Sequence, residues 1–149
     1  MTDPQTIRAD QFLAHPPGRV WHALTDSELM ARWLMPNDFK LEIGHRFTFR
    51  TTPIPAVGFD GIVHCEVVDF EPERRLVIRW ANRILDTTVT WRLVPEGRGT
   101  RLFVEHAGFD LDDEAQAFAF RNMGSGWRSG VFRGIERVLG KFEGEPGRV

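Results

Sequence analysis

The sequence predicts an α+β domain in which a curved antiparallel sheet wraps a long C-terminal helix around an apolar interior. Three observations carry this. The middle of the chain is a run of β-type segments joined by short turns, and connections that short join antiparallel neighbours. Charged residues fall on one parity of most segments and leave the other parity apolar. Towards the C-terminus the apolar period changes from two to three and four. A chain of 149 residues, 42% hydrophobic and 27% charged, suits one domain over residues 1–149 and can bury a core without cross-links.

The first strand is expected over 6–14, where Ile7, Ala9, Gln11 and Leu13 alternate with Arg8, Asp10 and Phe12. Pro16 and Pro17 block its continuation. Val20, Trp21, Ala23 and Leu24 then repeat at helical spacing, and Thr25-Asp26-Ser27 offers a fresh cap for a second short helix through Trp33. Six further strands are expected over 39–43, 46–52, 61–70, 75–81, 85–94 and 100–109, about seven in all. They are separated by Gly44-His45, the proline-bearing loop 52–58, Glu71-Pro72-Glu73-Arg74, Asn82-Arg83 and residues 95–99. The last segment, 112–142, opens with acidic residues that suit a helix N-terminus. It is expected to be one long helix with a bend near Gly124-Ser125-Gly126, and the residues after Phe142 lack periodicity and should fray.

Parity assigns the inward faces. Phe47 and Phe49 oppose Arg46, Thr48 and Arg50, and Val63, Cys65 and Val67 oppose His64 and Glu66. Leu76, Ile78 and Trp80 oppose Arg75, Val77 and Arg79, Val89, Trp91 and Leu93 oppose Asp86, Thr88, Thr90 and Arg92, and Leu102, Val104 and His106 oppose Arg101, Phe103 and Glu105. On the last helix Met123, Trp127, Val131, Ile135, Val138 and Phe142 form a stripe that fits this concave face. Gly126, Gly130 and Gly134 form a ridge at steps of four. Each glycine costs a helix roughly 1 kcal/mol relative to alanine, so the ridge suggests a close backbone approach to the sheet or to a second chain. So many rigid rings are hard to pack without gaps, and a cavity is expected between sheet and helix. Its ligand-binding candidates are Phe47, Phe49, Val63, Trp80, Trp91, Val104, His106, Met123 and Trp127. Trp33, Phe59 and Phe109 are placed at its mouth, with loop 52–58 as a lid.

Composition narrows the partners. Nineteen basic residues against twenty-one acidic ones, scattered along the chain, give no basic patch for nucleic acid. The single Cys65 excludes an internal disulfide, suits a reducing cytosol and, inward by parity, should be an unreactive thiol. The N-terminus lacks the features of a secretion signal, and no apolar run reaches the roughly 20 residues of a membrane span, so a cytoplasmic protein is expected. His15, His22, His45 and His64 lie in separate segments without ligand spacing, and neither metal nor cofactor is expected. Asp110, Asp112, Asp113 and Glu114 read as helix-start charge rather than a cation site. No serine-nucleophile elbow or phosphate loop occurs. His106 is the weak catalytic candidate: an imidazole on an apolar face could move a proton, although a hydrogen-bonded core histidine is the commoner case.

Several stretches in order carry a resemblance: Pro17-Gly-Arg-Val-Trp-His-Ala-Leu-Thr-Asp26, Met30-Ala-Arg-Trp-Leu34, Ile43-Gly-His-Arg-Phe47, Gly61-Ile-Val-His-Cys-Glu-Val67, Arg75-Leu-Val-Ile-Arg-Trp80, Thr88-Val-Thr-Trp-Arg-Leu93, Gly99-Thr-Arg-Leu102, His106-Ala-Gly-Phe109 and Gly126-Trp127. Together they resemble the SRPBCC superfamily (START and birch-pollen-allergen-like), in the branch named after the activator of the heat-shock chaperone ATPase. The resemblance implies a helix-grip fold and binding of a small hydrophobic or aromatic ligand in an internal cavity. The superfamily also includes cyclase- and hydrolase-type enzymes and stress-related, chaperone-interacting proteins. Either a monomer or a homodimer is compatible with it.

Overall fold

The computed structural model describes residues 5–144. Strand β1 (Gln5–Leu13) ends before the prolines, and α1 (Pro17–Thr25) begins on Pro17, where the missing N–H costs nothing. Asp26 stops α1 and caps α2 (Ser27–Trp33), its carboxylate accepting from the Leu29 N–H at 3.1 Å. The remaining strands are β2 (Arg46–Arg50), β3 (Ile62–Glu71), β4 (Arg75–Ala81), β5 (Asp86–Glu96) and β6 (Gly99–Phe109). They form one antiparallel sheet in the order β1-β6-β5-β4-β3-β2.

The sheet therefore has six strands, and the strand expected over 39–43 is a loop. Asn37 explains the difference. Its Oδ1 accepts from the Phe39 N–H at 3.0 Å and the Ser27 hydroxyl at 2.8 Å, and its Nδ2 donates to the Met35 carbonyl at 2.9 Å, so side-chain bonds replace ladder bonds. The loop still lies along the open edge of β2: the Arg50 N–H donates to the Pro36 carbonyl and the Thr48 N–H to the Asp38 carboxylate. An edge that could recruit another chain is thereby covered.

Parity holds elsewhere. Trp91 faces Val104 and Val89 faces His106 across β5 and β6, all four buried. One irregularity refines the reading of β3: a bulge between Val67 and Asp69 leaves Val68 exposed and returns Phe70 to the core side. On the outer face, Arg46–Glu66, Arg75–Asp69, Arg79–Asp86, Arg92–Glu105 and Arg101–Asp10 pair across strands. Such exposed pairs are worth at most about 1 kcal/mol each, and their effect is to favour one register.

The C-terminal helix runs through α3 (Glu114–Ser125), a π segment (Gly126–Val131) and α4 (Phe132–Gly144). Asp113 caps it, accepting from the Ala115 and Gln116 N–H groups at 2.9 and 3.2 Å, so the acidic cluster serves the helix start. The expected bend takes the form of the π segment. A π turn inserts an extra residue, and the buried stripe slips accordingly: after Trp127 the buried positions are Phe132, Ile135, Val138 and Leu139, while Val131 is only partly buried. The side chain of Phe142 lies outside the described residues, as does that of Ser129 and the surroundings of Gly130.

The glycine ridge is not a continuous contact. A Cβ at Gly134 would lie 3.1 Å from Trp33 Cβ and 3.2 Å from its backbone, so α4 meets α2 closely there within one chain. At Gly126 a Cβ would meet nothing within 4 Å.

Candidate functional site

The inward rings meet each other. Phe39, Phe47, Phe49, Trp80, Trp127, Trp91 and Trp33 form a continuous file, and His106, Phe109 and Phe120 branch from it. Centroid separations run from 4.7 to 6.4 Å, mostly edge to face, which is how aromatic rings fill space favourably. Of the nine ligand candidates, all but Met123 are buried in this core, and Met123 packs against it half-buried.

Within it lies one polar chain whose direction follows from donor chemistry. Trp127 Nε1–H can only donate, so His106 Nδ1, 3.2 Å away, accepts. The neutral ring then carries its proton on Nε2, which donates to the Thr87 hydroxyl at 2.7 Å, and that hydroxyl donates to the Trp80 carbonyl at 2.7 Å. Both ring nitrogens are satisfied, and His106, Thr87 and Trp127 are all essentially inaccessible to water. Burial pushes the His106 pKa down to about 3, because a charged ring would lose hydration. Protonation would also place a donor against the Trp127 donor. His106 is thus a neutral core histidine that pins the π segment to β5 and β6, not a group free to take a proton.

Open space lies to one side, between the start of the C-terminal helix and β3–β4. A cleft of about 200 Å³ is walled by Val63, Trp80 and Met123 from the candidate set, with Phe59 as expected at its edge. Sequence reasoning missed Met35, Ile54, Ile84, Leu85, Phe118 and Ala119. Phe118 and Ile54 are large apolar residues left exposed, and Ile54 lies in loop 52–58, the expected lid. That loop is a small closed turn in which Ile54 and Phe59 exchange backbone bonds at 2.9 and 3.2 Å around Pro55–Val57. Gly61 lets it close: at φ 86°, its missing Cβ would sit 2.5 Å from the Thr51 carbonyl. Trp33 and Phe109, also placed at the mouth, are instead buried core residues, Trp33 donating its indole N–H to the Ala23 carbonyl at 2.8 Å.

Among the described residues the polar side chains in the cleft are Thr51, Asn82 and Asn122, and none that lines it is charged. Cys65 stands apart, facing the core, its thiol pushed well above the usual range by burial and secondarily by the Asp38 carboxylate. Among the described residues no group of three or more His, Cys, Asp or Glu is placed to hold a metal ion, and no helix is long and apolar enough to cross a membrane.

A six-stranded sheet gripping a C-terminal helix, with an apolar cleft where the two part, defines a helix-grip α+β protein. The chain belongs to the family of Activator of Hsp90 ATPase homolog 1-like proteins, within the SRPBCC superfamily, its match spanning residues 14–140. No curated protein matches it. A crystal structure of a protein from Mesorhizobium loti is similar, with 33% identity over 92% of this chain and 98% of that one and a TM-score of 0.79. A protein from the dynemicin biosynthetic locus shares the fold at 24% identity and TM-score 0.74, covering 97% of this chain and 49% of that one. An HSP90 activator from Plasmodium falciparum shares it at 18% identity and TM-score 0.71, over 91% and 96%.

Proposed function

We propose that this protein binds a small, largely apolar or aromatic molecule in the lateral cleft rather than at the centre of the aromatic file. The observation that carries this is the cleft itself: concave, walled by Trp80, Phe59, Ile54, Phe118 and Met123, and lined by no charged side chain among the described residues. Its volume of about 200 Å³ exceeds the ~150 Å³ that suffices for benzene in a dry apolar cavity, which suits a one- or two-ring molecule or a short aliphatic chain. An enzymatic reading built on His106 draws no support from the geometry, because both ring nitrogens are engaged and the ring is buried.

Isothermal titration with indane tests the proposal. Saturable binding is expected, and Ala119→Trp, which puts an indole into the cleft from α3, should abolish it while leaving the folded spectrum intact. Binding unaffected by that substitution would place the ligand elsewhere. Contact with a chaperone is a second reading that family membership supports. Capture of an Hsp90-type ATPase by the purified protein, in either monomeric or dimeric form, would support it, and no change in that ATPase's rate would count against it.

A further inference from the structure

The cleft holds one polar group whose orientation is fixed. Asn82 follows β4 at the turn into β5, and its Oδ1 accepts from the Ile84 and Leu85 N–H groups, both at 2.7 Å. Two backbone donors demand an oxygen at that position, so the identity of the amide ends is set by the network and Nδ2 is the other end. Asn82 is half-buried and lines the cleft. The amide end left to donate thus belongs to a side chain that lines the cleft together with Trp80, Ile84, Phe118 and Met123. Asn122, the other amide, is exposed on α3. The first-turn N–H groups of α3 nearest the cleft are already taken by Asp113.

Resting on the reading of this cleft as a ligand site, we infer that its ligand is neutral and carries a carbonyl-type acceptor aimed at Asn82 Nδ2: a cyclic ketone, lactone or aldehyde on an apolar ring rather than a hydrocarbon, an amine or a carboxylate. The physical argument is one of balance. A ligand without an acceptor leaves the amide hydrogens desolvated and unpaired, which costs affinity. A carboxylate would satisfy them but lose its hydration against a wall to which the described residues contribute no cation.

The test compares indane, 1-indanone and indane-1-carboxylate by isothermal titration at pH 7, on the wild type and on Asn82→Asp. Asn82→Asp keeps an oxygen for the Ile84 and Leu85 N–H groups and removes the donor, and its thermal midpoint reports whether the turn survives. On the wild type, 1-indanone should bind roughly five-fold more tightly than indane, the fold-change expected for one neutral hydrogen bond, and the carboxylate more weakly than either. In Asn82→Asp the ketone's advantage should vanish or reverse while indane keeps its affinity. Equal binding of indane and indanone to the wild type, or tighter binding of the carboxylate, overturns the inference and leaves the cleft as a ligand site. Binding of none of the three overturns both. The wild-type series alone decides the matter if the variant fails to fold.

Discussion

Replacing His106 by glutamine changes the pH dependence of stability by an amount the structure sets. The glutamine amide can donate to Thr87 and accept from Trp127 but does not titrate in this range. The histidine has a folded-state pKa of about 3, against an ordinary value of 6.5 in the unfolded chain. The unfolded state therefore takes the proton first. Stability from this site is complete above pH 6.5 and is lost as pH falls, at about 1.4 kcal/mol per pH unit, until the folded ring itself protonates near pH 3. Between pH 7 and 4.5 this amounts to about 2–3 kcal/mol. Urea titrations of both proteins at the two pH values give the assay. Carboxylate effects are common to both and cancel, so the wild type's stability relative to His106→Gln should drop by about 2–3 kcal/mol at the lower pH. Parallel pH profiles would show that the imidazole is charged or hydrated in the folded protein, and the hydrogen-bond chain described above would be wrong.

Trp127→Phe keeps a six-membered ring but removes the indole N–H that donates to His106 Nδ1; it should cost at least about 1–3 kcal/mol in urea unfolding, as expected for an unsatisfied buried acceptor, with the lost fused ring adding to it. Gly126→Ala and Gly134→Ala form a contrasting pair. The first enters open space and should stabilise by up to about 1 kcal/mol, whereas the second presses on Trp33 and should be the less stable of the two; equal gains by calorimetry would refute the close α2–α4 approach. Cys65 should react with a thiol reagent at pH 8 far more slowly in the native protein than in urea, and native reaction as fast as that of free cysteine would contradict its burial.

Strand parity made most of the fold legible, because charges in β2 to β6 mark the solvent face at nearly every second position and leave Phe47, Trp80, Trp91 and Val104 no alternative to the core. Local patterning misled at 39–43, where alternation resembled a strand. There the Asn37 side chain and the left-handed Gly44 close a loop, and single-residue hydrogen bonding of that kind leaves little periodic trace. The slip of the helical stripe at Gly126 was equally hidden. A glycine-rich stretch announces a departure from regular helix but not its form; the π turn over Gly126–Val131 and the shifted buried positions after it show that an extra residue is accommodated there.

The site was legible in outline. Parity brought Val63, Trp80 and Met123 to the correct side, but it cannot say whether converging rings leave a gap, since that depends on the angles at which they meet. Thr87 illustrates the limit from the other side. A hydroxyl in register with Val89 and Trp91 implies a buried partner, yet the partner proved to be His106 on the next strand, reached through pairing register rather than sequence proximity. Asn82 read simply as a turn residue, which it is. Its second role as a cleft wall depends on how the turn folds over β3 and α3.

The most direct test of the central claim, that a guest enters at the side of the aromatic file, is a methyl-NMR map recorded during titration with indane. Shifts should concentrate on Met35, Met123, Ile54, Ile84 and Leu85, which line the cleft, and leave Ile78, Leu102 and Val104 unmoved. The largest shifts falling on Ile78, Leu102 and Val104 would contradict it, because the guest would then occupy the space that the rings of Trp80, Trp91 and Trp127 are held to fill.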